Sequence, residues 1–189
     1  MFLFFDTETT GLPKNYQAPA EDTDNWPRLV QLAWLLSDKN GNEVARNSLI
    51  IKPEGFIIPE QASAVHGITT EQAIQEGIEL TKALTEFSKA LATTKILVAH
   101  NISFDEKIMG AEFIRKDIKH NLIELPKICT MQKSTDYCQI EGNYGYKWPK
   151  LIELHQKLFN EDFEDAHDAL ADVKACARCF FELIERKVI

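Results

Sequence analysis

The chain opens on an aromatic apolar run, Met1 to Phe5, that ends directly in acid, Asp6-Thr7-Glu8. Five apolar residues are too few for a packed helix, so the run reads as a buried strand. Strand side chains alternate, which puts Asp6 and Glu8 on one face and Phe5 and Thr7 on the other. Two carboxylates side by side on such a strand repel, and desolvation raises the cost further, unless a cation lies between them. Oxygen-only ligands of this kind favour Mg²⁺ or Mn²⁺. A pair of solvated acids at a strand–loop junction is the competing reading.

The rest of the sequence limits what surrounds that strand. With 189 residues, 44% of them hydrophobic, the chain suits one domain with a sizeable core, and residues 1–189 are read as a single domain. Its longest uncharged apolar runs fall short of the roughly 18 residues needed to span a bilayer. No basic segment precedes Asp6, and four cysteines give no disulfide framework, so a cytoplasmic protein is expected. Arg28 to Ser37 and Glu43 to Ile51 read as strands of a hairpin turning at Asp38-Lys-Asn-Gly41. Gly11 to Arg28, with three prolines and no periodicity, reads as an exposed, mobile loop. Helices are expected over Glu60 to Val65, Thr70 to Glu76, Leu80 to Ala92, Phe104 to Arg115, Lys150 to Phe159 and Asp168 to Lys187. Short strands are expected at Ile96 to Ala99 and Ile128 to Met131, with residues 132–147 irregular. Three tightly connected strands followed by strands alternating with helices indicate an α/β fold, a mixed sheet flanked by helices.

Two further acids bear on the Asp6–Glu8 pair. Asp105 ends His100-Asn-Ile-Ser-Phe-Asp105, where a strand runs into a helix; helix-terminus chemistry alone also explains an acid there. Asp172 ends His167-Asp-Ala-Leu-Ala-Asp172. Five positions on one helix separate side chains by about 140°, so the two converge only if His167 precedes the helix. Asp165 or Asp168 is available to cap that start.

Together, Phe5 to Gly11 (FDTETTG), His100 to Asp105 and His167 to Asp172 resemble the three motifs of the DnaQ-like, or DEDDh, 3′–5′ exonucleases. The resemblance runs from about Met1 to Ile184. It implies a ribonuclease H-like fold, a three-strand antiparallel meander plus parallel strands. It implies two divalent cations, Mg²⁺ or Mn²⁺: Asp6, Glu8 and Asp172 would hold the first, Asp6 would bridge, and Asp105 would support the second. His167 would take the proton of the attacking water, the products being nucleoside 5′-monophosphates. Backbone groups of Thr9, Thr10 and Gly11 resemble the family's clasp on the terminal nucleotide. Leu12 stands where it could wedge against the last base, and His66 lies in a VHGI element that resembles one approaching that nucleotide. Gln61 replaces a glutamate common among epsilon subunits. Asn101 either positions a phosphate or caps the following helix. The substrate implied is a nucleic-acid 3′ end, single-stranded DNA ahead of RNA; no membrane partner and no polymerase-binding tail are expected, and oligomeric state is open.

Other features have plain readings beside functional ones. Cys176 and Cys179 form C-x-x-C but read as buried thiols on a core helix. Arg115, Lys116, Lys119, His120 and Lys127 are the one sustained basic stretch, read as a nucleic-acid track or a solvated helix end. Tyr144, Tyr146, Lys147 and Trp148 could stack on bases, but Trp148 reads better as packed beneath the next helix. Asp-x-Glu-x-Thr also resembles the nucleophile strand of haloacid-dehalogenase-like phosphatases, and a non-catalytic nucleic-acid or polymerase-binding module is a third possibility. The net charge of −8 opposes a polyanion partner. Two divalent cations add +4 and bring it to −4, so substrate attraction should be local and metal-dependent.

Overall fold

The computed structural model describes residues 1–163 and 167–189. Its centre is a five-stranded sheet ordered β3-β2-β1-β4-β5: β1 (Phe2–Thr9), β2 (Leu29–Ser37), β3 (Glu43–Ile50), β4 (Ile96–Ala99) and β5 (Lys127–Cys129). β1 to β3 form an antiparallel meander, while β1–β4 and β4–β5 pair in parallel. The first strand reaches Thr9, so Asp6 and Glu8 lie within its C-terminal half, with the strand alternation expected of them. β5 stops at Cys129, where α5 (Thr130–Lys133) takes over, and α6 (Thr135–Cys138) and the small ribbon β6 (Glu141–Gly142) and β7 (Gly145–Tyr146) occupy a stretch expected to be irregular. Short elements of this kind carry too little periodicity to be read from sequence.

Each face of the sheet is covered by its own helices. Leu3 and Phe5 point into a core with Leu84, Phe87 and Leu91 of α3 (Leu80–Leu91) and Ile108, Met109 and Phe113 of α4 (Ile102–Arg115). Phe4 points the other way, onto Ala169, Val173, Cys176, Ala177 and Phe180 of α8 (Ala169–Glu185). The apolar spacing of Ala169, Val173, Ala177, Phe180 and Ile184 predicts a buried stripe on α8, which holds except at its end, where Leu183 is buried and Ile184 is exposed. α7 (Leu151–Phe159) packs on the outer side of α8 through Leu154, Leu158, Cys179 and Leu183. The two cysteines of C-x-x-C thus belong to separate clusters, Cys176 against the sheet and Cys179 against α7, and both are buried. α1 (Glu60–His66) and α2 (Thr70–Glu76) enclose a smaller cluster around Val30. Among the described residues no helix is long and apolar enough to cross a membrane.

Residues 11–28 are not the exposed loop their composition suggests. Ala18, Ala20, Asn25 and Trp26 are buried. Long side chains of α4 reach out to the loop: Arg115 donates to the carbonyls of Thr23 and Trp26, and Lys107 to that of Ala18. Glu112, buried on the same helix, accepts from Arg28 Nε and Leu29 N, each at 2.9 Å. Backbone groups that a surface loop would give to water are here satisfied by side chains more than 80 positions away.

Candidate active site

The site forms because β1 outruns its parallel neighbour. Pairing with β4 stops at Phe4–Val98, whereas pairing with β2 continues to Thr9. The first turn of α4 fills the gap: Thr7 donates its backbone N–H (3.0 Å) and its hydroxyl (2.8 Å) to Asp105 Oδ1. Asp105, arriving from the α4 side, is buried. Asp6 and Glu8 share the α8 face with Phe4, and Asp172 lies in the first turn of α8 below them.

His167 precedes the helix, as convergence with Asp172 requires. It is a non-glycine residue at φ 75°, a conformation that costs free energy and is found disproportionately at functional sites. Its N–H donates to Asp172 Oδ2 at 3.3 Å. Glu8, His167 and Asp172 each offer a ligand atom, all within 4.8 Å of one another. Asp168 caps α8 by accepting from the N–H groups of Leu170 and Ala171. Asp165, the other capping candidate, lies outside the described residues.

The electrostatics show how tightly the acids are drawn together. Burial raises the Asp6 carboxyl well above the usual carboxylate range, and the charges of Asp105, Asp172 and Glu8 raise it further. Glu8 is pushed up to about 8 by desolvation and then by Asp172 and Asp105. Burial takes Asp105 to about 7 against the opposing hydrogen bonds from Thr7, and Asp172 to about 6 against its bond from His167. An all-carboxylate set on three elements, each member made costly by the others, fits divalent cations: positive charge there would relieve both the repulsion and the desolvation.

Two residues to which the sequence reading gave no role shape this site. Gln31, opposite Glu8 on β2, donates to Asp168 Oδ2 (3.1 Å) and accepts from Ala169 N (3.2 Å), fixing the start of α8. Its signal is a polar residue inside the otherwise apolar run Leu29 to Leu36. His100 holds the opposite wall through Pro149 O (2.9 Å) and Thr130 Oγ1 (3.0 Å), and burial lowers its imidazole to about 4. The neutral ring therefore donates from Nε2 to the Pro149 carbonyl and accepts at Nδ1 from the Thr130 hydroxyl.

The expected substrate residues surround a cavity of about 600 Å³ lined by Glu8, Thr9, Thr10, Gly11, Leu12, Gln61 and His66. Thr9 Oγ1 donates to Gly11 O, and Gly11 adopts φ 146°, open to glycine alone. The Thr10 N–H is committed to Arg28 O at 2.9 Å, which removes it from the expected backbone clasp. Leu12 stands 74% exposed at the cavity rim. His66 accepts at Nδ1 from Ile68 N, while its Nε2 is buried without a partner among the described residues. Gly67 at φ 78° makes the left-handed turn that presents His66. Asn101 is left-handed too, and its side chain makes no cap to α4; it lines a second cavity, of about 570 Å³, with His167 and Asp172. Three members of the basic stretch are occupied internally, Arg115 at Glu112, Lys116 at Glu54 and Lys127 at Glu106. Trp148 is not packed beneath α7 but is 62% exposed, and the neighbouring Pro149 is the buried residue.

The sequence matches an exonuclease family model, RNase_T, over residues 3–180. It is 26% identical over 186 residues to the DNA polymerase III subunit epsilon of Treponema pallidum, covering 97% of this chain and 76% of that protein. Against the PolC-type DNA polymerase III of Streptococcus pneumoniae it is 31% identical over 186 residues, covering 97% of this chain but 11% of the polymerase. Among solved structures, a zinc-bound complex of E. coli exonuclease I with single-stranded DNA superposes with a TM-score of 0.76 at 20% identity, over 98% of this chain and 40% of that one. That likeness identifies the sheet and its helices as a ribonuclease H-like fold. The chain thus corresponds to most of the epsilon subunit and to a minor part of the two longer proteins.

Proposed function

Because the chain belongs to the DnaQ-like 3′–5′ exonuclease family, we propose that residues 1–189 form a single cytoplasmic nuclease unit that trims single-stranded DNA, ahead of RNA, in replication or repair. The observation that carries this reading is the convergence of Asp6, Glu8, Asp105 and Asp172 with His167 at the overhanging end of β1. The four carboxylates would hold two divalent cations, Mg²⁺ or Mn²⁺; zinc and single-stranded DNA in the exonuclease I complex support a divalent ion and a single-stranded substrate. Cations bound there supply Lewis-acid stabilisation of the charge that develops on the attacking and leaving oxygens.

The chain's own residues account for the remaining steps. The His167 N–H is tied to Asp172, which leaves its imidazole to receive the proton of the attacking water. The terminal nucleotide enters the cavity between Leu12 and His66, where the His66 ring offers a face and Leu12 an apolar edge for the base. Thr9 and Gly11 shape the floor, and Asn101 orients the strand on the His167 side. Release of the 3′-oxygen leaves a nucleoside 5′-monophosphate and a chain one residue shorter.

The decisive test of the base is His167→Ala assayed on (dT)12 with Mg²⁺. We expect kcat to fall by about 10²- to 10⁴-fold while Mn²⁺ and oligonucleotide affinities change little. An unchanged kcat would remove His167 from the chemistry.

A further inference from the structure

Resting on the nuclease reading, we infer that Trp148 and Tyr16 are stacking platforms of a track for the bases that precede the 3′-terminal nucleotide. Trp148 is 62% and Tyr16 53% exposed, large aromatic surfaces left to solvent, and Trp148 lines the same cavity as Asp172. Both line a cavity of about 250 Å³ floored by Asn101, Phe104 and Met131. That cavity shares Asn101, Met131 and Trp148 with the one containing His167 and Asp172. It shares Phe104 with the pocket assigned to the terminal nucleotide. The aromatic walls are therefore continuous with the reaction site, on a course that a strand leaving the terminal pocket would follow.

Neither ring hangs on a loose segment. His100 Nε2 holds Pro149 O at 2.9 Å, Lys150 N donates to Glu153 Oε2 at 2.7 Å, and Lys147 N donates to Ile140 O at 2.8 Å. The backbone on both sides of Trp148 is thus fixed while its indole is exposed. Tyr16 sits in a turn closed by Asn15 N to Asn25 Oδ1 (2.7 Å) and Asn25 Nδ2 to Asn15 O (2.9 Å). Preorganised, exposed aromatic faces bind bases without regard to sequence. Lys150, also lining the larger cavity, is exposed and forms no ion pair among the described residues, which leaves its ammonium for a phosphate. In a duplex the bases are already stacked on one another, so this track selects single strands.

The test compares two substrates of one enzyme, (dT)12 and the p-nitrophenyl ester of thymidine 5′-monophosphate, which is too short to reach the track. For Trp148→Ala, the ratio of kcat/KM on (dT)12 to that on the ester should fall about 5- to 150-fold, through KM, from about 1–3 kcal/mol of stacking per base. Trp148→Phe should restore most of it, and Tyr16→Ala should lower it in the same sense. An unchanged ratio for both alanine variants, or equal losses on the two substrates, would overturn the track. Tryptophan fluorescence separates this inference from the nuclease reading. (dT)12 should quench the wild-type chain and not Trp148→Phe, a result read without turnover. An inactive chain that still shows this difference sinks the chemistry and keeps the track; quenching that persists in Trp148→Phe sinks the track.

Discussion

At the residue scale, the site depends on supporting partners beside the four acids and the histidine. The five motif residues could be named because three motifs in order resemble those of the exonuclease family; type and spacing alone left each with a plain alternative, such as solvated acids at a strand end or an acid at a helix start. Thr7 and Gln31 were not legible as supports, since their hydrogen bonds span 98 and 137 positions and leave no local pattern. Thr7 is the sharper case, because it spends both N–H and hydroxyl on one oxygen of Asp105 and so aims the other into the site. Thr7→Val removes the hydroxyl with little change of shape. Loss of such an outer partner costs about 10- to 100-fold in metal affinity, so the Mn²⁺ concentration giving half-maximal activity should rise by about that factor in a Mn²⁺ titration. A shift of less than two-fold would show that the backbone N–H alone holds Asp105.

At the scale of elements, periodic segments were readable and the non-periodic ones were misread in a consistent way. α3, α4 and α8 announce themselves by apolar spacing, whereas residues 11–28 look solvated because their anchors lie on α4. Arg28 and Arg115 meet at Glu112, whose carboxyl is buried. The pair of loop and helix positions Leu12 and Tyr16 at the cleft, so on the proposed reading this anchor would connect stability to substrate binding. Glu112→Ala leaves two cations and the Leu29 N–H without their acceptor, and should cost about 3–5 kcal/mol in chemical denaturation. The KM for (dT)12 should rise alongside, as Leu12 and Tyr16 lose their fixed positions. Loss of stability with KM unchanged would show that the loop docks without Glu112.

For the whole molecule, the acidic balance becomes a statement about pH and metal. Asp172, Asp105 and Glu8 lie near 6, 7 and 8 when folded, against ordinary values of 3.8, 3.8 and 4.5. Below about pH 4 these groups are protonated in both states. Between about pH 4 and 8 the unfolded chain releases protons that the folded chain retains, so metal-free stability falls as pH rises. Cation binding should reverse this: at 100 times Kd it adds about 2.7 kcal/mol, or roughly 5–10 °C in a chain of this size. Thermal melts in EDTA and in Mn²⁺ at pH 5 and pH 8 measure the effect, and a Tm that is flat in pH and indifferent to Mn²⁺ would refute it. The central claim is that these carboxylates bind the ions that cleave a nucleic acid from its 3′ end. It is tested most directly by following 5′-labelled single-stranded DNA, duplex DNA and RNA with Mg²⁺, Mn²⁺ or EDTA. The predicted result is a ladder of products shortened one nucleotide at a time from the 3′ end of single-stranded DNA, with nucleoside 5′-monophosphates released and no cleavage in EDTA. Cleavage that persists in EDTA, or mononucleotides carrying a 3′-phosphate, would contradict it.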